Sequence, residues 1–203
     1  MNIAIVNYNM GNLKSIIGAL KYLGVEDIIV SDQYEALQKA TKLILPGVGS
    51  FAAAMKIIKE KGLDIYLKDI VLENKKPILG ICLGMQLMGL SSTESGENDG
   101  LGFIQGKITR FCNDHIKIPH VGFNQVQVNS ELRLYNGMNG KLDFYFTHSY
   151  KMESHNYINQ CMCDYGGPFI ASYEFDNLAG VQFHPELSQI NGLALLNNFI
   201  KSF

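Results

Sequence analysis

The sequence predicts an α/β fold: one domain, residues 1–203, in which a mixed, mostly parallel sheet is flanked by helices. Two observations support this prediction. In the first half of the chain, short apolar runs alternate with segments of helical periodicity, which is the pattern of β–α–β units and of a parallel sheet buried on both faces. In the second half, short strands follow one another with only turns between them, which makes the sheet mixed.

Four buried strands and the helices between them make up the first half. The strands are the apolar runs at residues 3–6, 27–30, 42–45 and 77–81. The first strand turns into a helix whose apolar positions share one face: Leu13, Ile16, Ile17, Leu20 and Leu23. Gly24 ends this helix, and Pro46 with Gly47 stops the third strand.

The second half contains strands in series and a final helix. Turns separate six predicted strands, at residues 107–111, 121–128, 142–146, 158–163, 169–173 and 179–183. Residues 192–203 are amphipathic, with their large apolar side chains on one helical face. Because no internal repeat, low-complexity segment or linker interrupts the chain, we expect no second domain.

Composition and charge exclude several classes of protein. Hydrophobic residues make up 47% of the chain and charged residues 18%, as in a compact globular protein. The net charge of −2, without a block rich in Lys and Arg, argues against nucleic acid and anionic membranes as partners. No apolar run approaches the roughly 18 residues that span a bilayer, and the first residues lack the features of a signal peptide. We therefore expect a cytoplasmic protein.

The four cysteines, at positions 82, 112, 161 and 163, do not resemble a disulfide framework, so we expect them to be reduced. Cys161 and Cys163 could suggest a metal site. However, they alternate along a predicted strand, and no second pair of ligands lies nearby in the sequence. We expect neither a metal nor a cofactor.

The segment most informative about chemistry is residues 80–86 (GICLGMQ), which follows a strand and opens a helix predicted from Leu83 to about Ser91. Glycines two positions before and after Cys82 suit a tight strand–turn–helix elbow, where larger side chains would clash. The elbow exposes the sulfur and places it at a helix N-terminus, which favours the thiolate. Cys82 is therefore the candidate nucleophile; the alternative is a small buried residue with a structural role.

Residues 183–186 (FHPE) supply the candidate base and its orienting group. Pro185 favours an extended His184, and residues i and i+2 of an extended segment project to the same side. Glu186 can then fix the tautomer of His184 and stabilise the imidazolium. Together with Cys82, these two residues make a plausible Cys–His–Glu triad.

Residues 46–51 (PGVGSF) form a candidate oxyanion turn. In a doubly wound sheet this turn emerges at the same carboxyl edge as Cys82. Its glycines allow backbone N–H groups to approach a ligand closely. The N–H groups of Val48 and Leu83 are the candidate donors, each worth about 3–4 kcal/mol to an acyl-transfer transition state.

Together these motifs resemble the class I (triad) glutamine amidotransferases, whose patterns are P-G-x-G, G-x-C-x-G and H-P-E. More narrowly, the chain is similar to the glutaminase subunits of imidazole glycerol phosphate synthase. The matching stretches keep the order of that family: residues 7–13, 45–51, 80–86, 94 with 96, 100–102, 118–124, 145–150 and 183–186. The elements C-x-G-x-Q, P-H-x-G and H-S-Y distinguish this family from other amidotransferases.

The resemblance implies an activity, a partner and roles for further residues. Cys82 would attack the side-chain amide of glutamine, His184 would protonate the leaving ammonia, and water would hydrolyse the glutamyl thioester. Residues that would hold the substrate are Gly47, Gly49, Gln86, Glu94, His148, Ser149 and Tyr150. The family passes its ammonia to a (β/α)₈-barrel subunit in a heterodimer, which makes imidazole glycerol phosphate and an aminoimidazole carboxamide nucleotide in histidine biosynthesis. Residues on the partner face would be Asn12, His120, Phe123, Asn124 and Leu187.

The chain departs from the family pattern on that partner face. Asn7 and Asn9 replace an acid and a glycine, Phe123 replaces a tryptophan, and Leu187 replaces a lysine that reaches the partner. None of these positions belongs to the triad. Losing one charge of a buried interfacial pair leaves the other unmatched, at a cost on the order of a few kcal/mol. Either the partner differs as well, or the pairing does.

Three other functions remain open at this point. A paralogue of the glutaminase subunit could supply ammonia to another acceptor, such as a surface-glycan sugar. A stand-alone cysteine hydrolase or peptidase could use the same Cys–His elbow without a partner. A non-catalytic binding subunit could keep the scaffold, although the intact triad argues against it.

Overall fold

The computed structural model describes all 203 residues. Its helices are α1 Leu13–Tyr22, α2 Tyr34–Lys39, α3 Phe51–Glu60, α4 Leu63–Leu67, α5 Leu83–Leu87 and α6 Gln189–Ser202, with a π-helical continuation of α4 at Lys68–Glu73. Its strands are β1 Asn2–Val6, β2 Asp27–Ser31, β3 Lys42–Leu45, β4 Ile78–Ile81, β5 Ser91–Ser92, β6 Asn98–Asp99, β7 Lys107–Arg110, β8 His120–Gln127, β9 Lys141–His148, β10 Tyr150–Glu153, β11 Gln160–Asp164, β12 Pro168–Phe175 and β13 Leu178–Val181. Single 3₁₀ turns lie at Arg133–Tyr135 and Pro185–Leu187. None of the helices has the length and apolar character needed to cross a bilayer.

The main sheet has nine strands in the order β2-β1-β3-β4-β13-β12-β11-β8-β9. Neighbours from β2 to β13 are parallel, and neighbours from β13 to β9 are antiparallel. This arrangement confirms the predicted α/β fold with a mixed sheet. The antiparallel part of the sheet is larger than predicted. Among the strands after β4, only β13 has a parallel neighbour, whereas β8, β9, β11 and β12 have antiparallel neighbours only.

A second sheet of four strands, β10-β7-β5-β6, was not predicted from the sequence. Strands β5 and β6 have two residues each, too few to show a period-2 pattern. Strand β10 follows β9 after a single residue, Ser149, and therefore looks like a continuation of it in the sequence. The predicted strand at residues 107–111 lies in this sheet as β7, rather than in the main one.

The core lies on both faces of the parallel half of the sheet. Alternate residues of β1 enter two different clusters: Ile3 and Ile5 on one face, Ala4 and Val6 on the other. All four are completely buried. The near-continuous apolar sequences of β1, β3 and β4 therefore reflect burial on two sides, as predicted, whereas the edge strand β2, which was also predicted to be buried, has no buried residue.

Helix α5 is shorter than the prediction of Leu83 to about Ser91, since it ends at Leu87. The next carbonyl groups bond across to a loop instead of up the helix: Leu87 accepts from the N–H of Leu101, and Met88 accepts from that of Phe103. This loop leads into the second sheet. The helix is therefore stopped by tertiary hydrogen bonds, which the local sequence does not reveal.

Candidate active site

Cys82 lies at a strained turn between β4 and α5. Its backbone angles are φ 52° and ψ −108°, a region that side chains other than glycine seldom occupy. The N–H of Cys82 donates to the carbonyl oxygen of Val181 at 2.8 Å, so the turn begins on the ladder between β4 and its parallel neighbour β13. The strand–turn–helix elbow predicted from the sequence is therefore present.

The two glycines beside Cys82 are required by close packing, as predicted. A Cβ atom on Gly84 would overlap the carbonyl oxygen of Leu45 at the end of β3. A Cβ atom on Gly80 would come within 2.7 Å of the N atom of Met85 and within 2.8 Å of the Gly84 backbone. The elbow can thus lie against the end of β3, where the candidate oxyanion turn begins.

His184 and Glu186 form a buried pair at the end of β13. His184 Nδ1 lies 2.9 Å from Glu186 Oε1, and the two side chains are 4% and 1% exposed. Burial alone would lower the pKa of His184, but the interactions of its ring with Cys82 and Glu186 outweigh burial and raise the pKa above its ordinary value. The other ring nitrogen, Nε2, is buried without an oxygen or nitrogen partner, which leaves it available to the Cys82 sulfur.

A cavity of about 290 Å³ opens over the Cys82 sulfur. Its lining includes Val48, Gly49, Cys82, Leu83, Gln86, Glu94, Pro119, Thr147, His148, Ser149, Tyr150 and His184. The predicted catalytic, oxyanion and substrate-binding residues thus come together, with two exceptions. Gly47 lies behind the lining, against Leu83 and Gly84, and Glu186 lies behind His184.

Glu94 and the residues of the 46–51 turn are joined by a hydrogen bond. The N–H of Phe51, the first residue of α3, donates to Glu94 Oε2 at 2.8 Å. A carboxylate at this position satisfies a free N–H of the first helical turn and is favoured by the helix dipole. One oxygen of Glu94 is therefore used to hold the turn, while its side chain also lines the cavity.

Two histidines beside the cavity are neutral and fully hydrogen-bonded. His148 donates from Nδ1 to the Tyr150 carbonyl oxygen at 2.8 Å, so its Nε2 accepts from His120 Nδ1 at 3.1 Å. His120 Nε2 then accepts from Asn124 Nδ2 at 3.3 Å. Burial lowers the pKa of His148 to about 3 and that of His120 to about 4. Because both imidazoles are engaged, His184 is the one histidine of the cavity that is free to serve Cys82.

Gln182 is a site residue that the sequence analysis missed. It is completely buried, and its Nε2 donates toward the Cys82 sulfur at 3.7 Å. Its Oε1 accepts from Gln86 Nε2 at 2.9 Å, and the same Gln86 nitrogen donates to the Tyr150 carbonyl oxygen at 3.0 Å. The sequence did contain a signal for Gln182, because it is a glutamine inside the apolar run at residues 178–183. A buried amide needs hydrogen-bond partners, so its position indicated a polar neighbour in the core.

The residues predicted for a partner face fall into two groups. Phe123 and Leu187 are exposed, by 51% and 40%, and Asn12 and Asn124 are half-buried. His120 is only 3% exposed and is stacked between Tyr165 and Phe146. The side chain of His120 therefore faces the interior, and its predicted place on a partner surface needs correction.

Four exposed apolar side chains lie on segments next to the triad, and we call them the apolar patch: Val121, Phe123, Leu187 and Ile190. Val121 and Phe123 project from the same face of β8. Phe123 and Ile190 line one cavity of about 260 Å³, and Leu187 directly follows Glu186. Patches of exposed apolar side chains mark interaction surfaces in many proteins.

Comparisons with known proteins agree with this geometry. The family described as "Glutamine amidotransferase class-I" matches residues 4–203. A relative from Campylobacter jejuni (strain RM1221), named imidazole glycerol phosphate synthase subunit HisH 1, is 46% identical over 98% of this chain and 99% of its own length. The subunit HisH of Leptospira interrogans is 42% identical over 97% and 98% of the two chains, and the subunit HisH 2 of Vibrio vulnificus is 41% identical over 98% and 94%.

Solved structures share the fold at lower identity. A crystal structure of a glutamine amidotransferase superimposes with a TM-score of 0.76 at 20% identity, over 98% of this chain and 97% of the other. The structure of PurLQS from Thermotoga maritima gives a TM-score of 0.72 at 18% identity, over 98% and 97%. Since the family match spans nearly the whole chain and the relatives exceed 40% identity, the chain belongs to the class I glutamine amidotransferases and, within them, to the HisH subunits of imidazole glycerol phosphate synthase.

Proposed function

We propose that Cys82, His184 and Glu186 hydrolyse glutamine to glutamate and ammonia, and that the ammonia passes to a synthase subunit for histidine biosynthesis. The observation that carries the proposal is the free Nε2 of His184 in the cavity over the Cys82 sulfur, with its other nitrogen held by Glu186. Membership of the HisH family supplies the substrate and the pathway.

The first chemical step is attack of the Cys82 thiolate on the side-chain amide carbon of glutamine. The carbonyl oxygen becomes an oxyanion, for which we assign the N–H groups of Val48 and Leu83 as donors. Leu83 is the first residue of α5, so its N–H has no partner within the helix. As the tetrahedral intermediate collapses, protonated His184 gives its proton to the leaving nitrogen, and ammonia departs.

The second step is hydrolysis of the glutamyl thioester. Neutral His184 removes a proton from water, the resulting hydroxide attacks the thioester, and glutamate leaves with the Cys82 thiolate and the His184 imidazolium restored. Glu186 does not exchange protons in either step. Its carboxylate holds the tautomer of His184 that keeps Nε2 toward the sulfur, and it stabilises the imidazolium that is present before the first step and restored by the second.

We assign Gln86, Glu94 and the backbone of His148, Ser149 and Tyr150 to the binding of the glutamine amino-acid group. Gln86 uses its nitrogen for two internal hydrogen bonds, which leaves its oxygen for the substrate ammonium. The lining residues Glu94 and Gln86 offer acceptors to that ammonium. Gly47 and Gly49 contribute because, without side chains, they allow the 46–49 turn to lie close to the substrate.

For the partner we propose a (β/α)₈-barrel subunit in a heterodimer, docked on the apolar patch and also in contact with Asn12 and Asn124. The names of the relatives describe subunits of a synthase, which supports a second chain. Because Leu187 is exposed and apolar, the facing residue of the partner should be apolar as well. The four free cysteines suit the reducing cytoplasm, where we propose that the complex works.

The first test is the glutaminase assay of a Cys82→Ala variant with its barrel partner and the partner's ligand. We expect activity to fall by more than about 10⁴-fold, because the nucleophile is removed. Cys112→Ala is the matched control, since Cys112 is exposed and does not line the cavity. Retained activity in Cys82→Ala would contradict the proposal, and equal turnover of other amides or peptides without a partner would favour a stand-alone hydrolase.

The acceptor of the ammonia is tested by genetics. The second candidate is a paralogue that supplies ammonia to another acceptor, such as a surface-glycan sugar. It is supported by the numbers 1 and 2 in the names of two relatives, which indicate more than one HisH in an organism. We expect the chain, expressed with its barrel partner, to restore growth without histidine to a strain that lacks the glutaminase subunit. Failure of this rescue, with Cys82-dependent glutaminase intact, would favour the second candidate.

A further inference from the structure

Tyr8 connects the first strand with the candidate oxyanion turn. It lies two residues after β1 and is completely buried. Its hydroxyl donates to the carbonyl oxygen of Pro46 at 2.6 Å, across 38 residues of sequence. Because a carbonyl oxygen only accepts, the direction of this bond is fixed. The Pro46 carbonyl belongs to the Pro46–Gly47 peptide, which is the first peptide of the turn. The next peptide, Gly47–Val48, carries the N–H of Val48.

The Tyr8 oxygen also contacts Gly47. A Cβ atom on Gly47 would lie 2.5 Å from Tyr8 Oη, 2.8 Å from Leu83 Cβ and 2.8 Å from the Gly84 nitrogen. Gly47 is therefore enclosed between Tyr8 and the elbow that carries Cys82. The hydroxyl of Tyr8 is thus in contact with two successive residues of the turn.

The turn needs such a contact because its own sequence does not fix it. Gly47 and Gly49 flank Val48, and Gly49 has φ +101°, so the side chains of the turn itself place few steric limits on the two peptides around Val48. Burial and the nearby charge of Cys82 raise the pKa of Tyr8, which keeps the hydroxyl protonated as a donor. No other side chain hydrogen-bonds to Pro46, Gly47 or Val48.

We propose that Tyr8 is a positioning residue for glutamine hydrolysis, whose hydroxyl holds the Pro46–Gly47 peptide so that the Val48 N–H stays aligned with the oxyanion. The inference rests on the proposed glutaminase function. It assigns Tyr8 a role in stabilising the transition state, and none in activating the Cys82 thiolate or in binding the amino-acid group of glutamine.

The test is Tyr8→Phe, which removes one oxygen and keeps the ring. Tyr135→Phe is the matched control, because Tyr135 is equally buried and its hydroxyl bonds Ser172 at the same 2.6 Å, yet neither residue lines the cavity. With the synthase partner present, we expect Tyr8→Phe to lower kcat by about tenfold to a hundredfold, since a misaligned donor loses most of its value. KM should stay the same, and Tyr135→Phe should keep its kcat.

Two further measurements separate positioning from loss of structure. Alkylation of Cys82 by iodoacetamide needs a thiolate but no oxyanion donor, so its rate should be equal in Tyr8→Phe and the unmodified chain. Glutamate γ-semialdehyde forms a thiohemiacetal with Cys82 whose oxygen needs the same donors. Its affinity should fall by the same factor as kcat.

Three results would overturn the proposal: an unchanged kcat in Tyr8→Phe, an equal loss of kcat in Tyr135→Phe, or a parallel loss of alkylation rate. The glutaminase function itself is judged separately, by the unmodified chain and Cys82→Ala. Glutamine hydrolysis that depends on Cys82 but not on the Tyr8 hydroxyl would therefore refute only the role of Tyr8.

Discussion

At the scale of single residues, the site depends on how His184 is held. The ring is almost fully buried, which by itself would favour the neutral imidazole. The opposing effects of Cys82 and Glu186 raise its pKa and favour the protonated ring, and in the proposed mechanism this proton passes to the leaving ammonia. His148 shows the contrast: burial dominates and lowers its pKa, because its hydrogen bonds to a carbonyl group and a neutral histidine do not offset the loss of solvent.

This electrostatic arrangement predicts a pH effect for Glu186→Gln. In the proposed mechanism, activity requires protonated His184 beside the Cys82 thiolate, so activity should be lost as the pH rises through the pKa of His184. Glu186 is one cause of the raised pKa. Its replacement lowers the pKa, and the alkaline loss of activity should move to lower pH, with a drop in kcat of about a hundredfold. The pH profile of kcat measures both effects.

Glu60→Gln provides the control for that experiment, because the same substitution is made at an exposed position on α3. Its pH profile should match that of the unmodified chain. An alkaline limb that stays in place in Glu186→Gln would show that Glu186 does not support the imidazolium.

At the scale of elements, the elbow and the end of β3 form one packed unit. Gly84 lets α5 lie directly on the Leu45 carbonyl, and the 46–51 turn starts from the same point. We expect Gly84→Ala to destabilise the fold by about 3 kcal/mol in urea unfolding, because backbone atoms must separate. Gly18→Ala is the matched control: no atom lies near its Cβ, and it should stabilise α1 by about 0.5–1 kcal/mol.

The sequence was sufficient to predict those elements whose own residues show a clear pattern. Continuous apolar runs predicted β1 to β4, and the glycine spacing predicted the elbow at Cys82. It was not sufficient where structure arises from contacts distant in the chain. The two-residue strands β5 and β6 exist because β7 pairs beside them, and the roles of Gln182 and Tyr8 depend on groups that are 100 and 38 residues away.

At the scale of the whole molecule, we expect two opposite edges of the sheet to differ in function. Cys82, His184 and the 46–51 turn follow the carboxyl ends of parallel strands, and the apolar patch lies beside them. The hairpin between β12 and β13 lies at the other edge, where Phe175 pairs with Leu178 at the start of β13. Phe123 and Phe175 have almost equal exposure, 51% and 50%, which makes them a matched pair for mutation.

We expect Phe123→Asp to weaken binding of the barrel partner by about 2 kcal/mol, or about thirtyfold in Kd, because a charge replaces an aromatic contact. Phe175→Asp should leave Kd unchanged. Isothermal titration with the purified partner measures both. Equal weakening by the two variants, or none by Phe123→Asp, would place the contact surface elsewhere.

The hydrogen bond between the N–H of Cys82 and the carbonyl of Val181 joins the ends of β4 and β13, the two adjacent strands that lead to Cys82 and His184, the proposed nucleophile and base. The two strand ends are thus held at the roughly 4.8 Å spacing of a β-ladder, one of the stiffest dimensions in a protein. Val48 and His148, in contrast, come from other segments around the cavity. We therefore expect a partner subunit that changes turnover to act by moving these peripheral groups, and to leave the ladder between β4 and β13 unchanged.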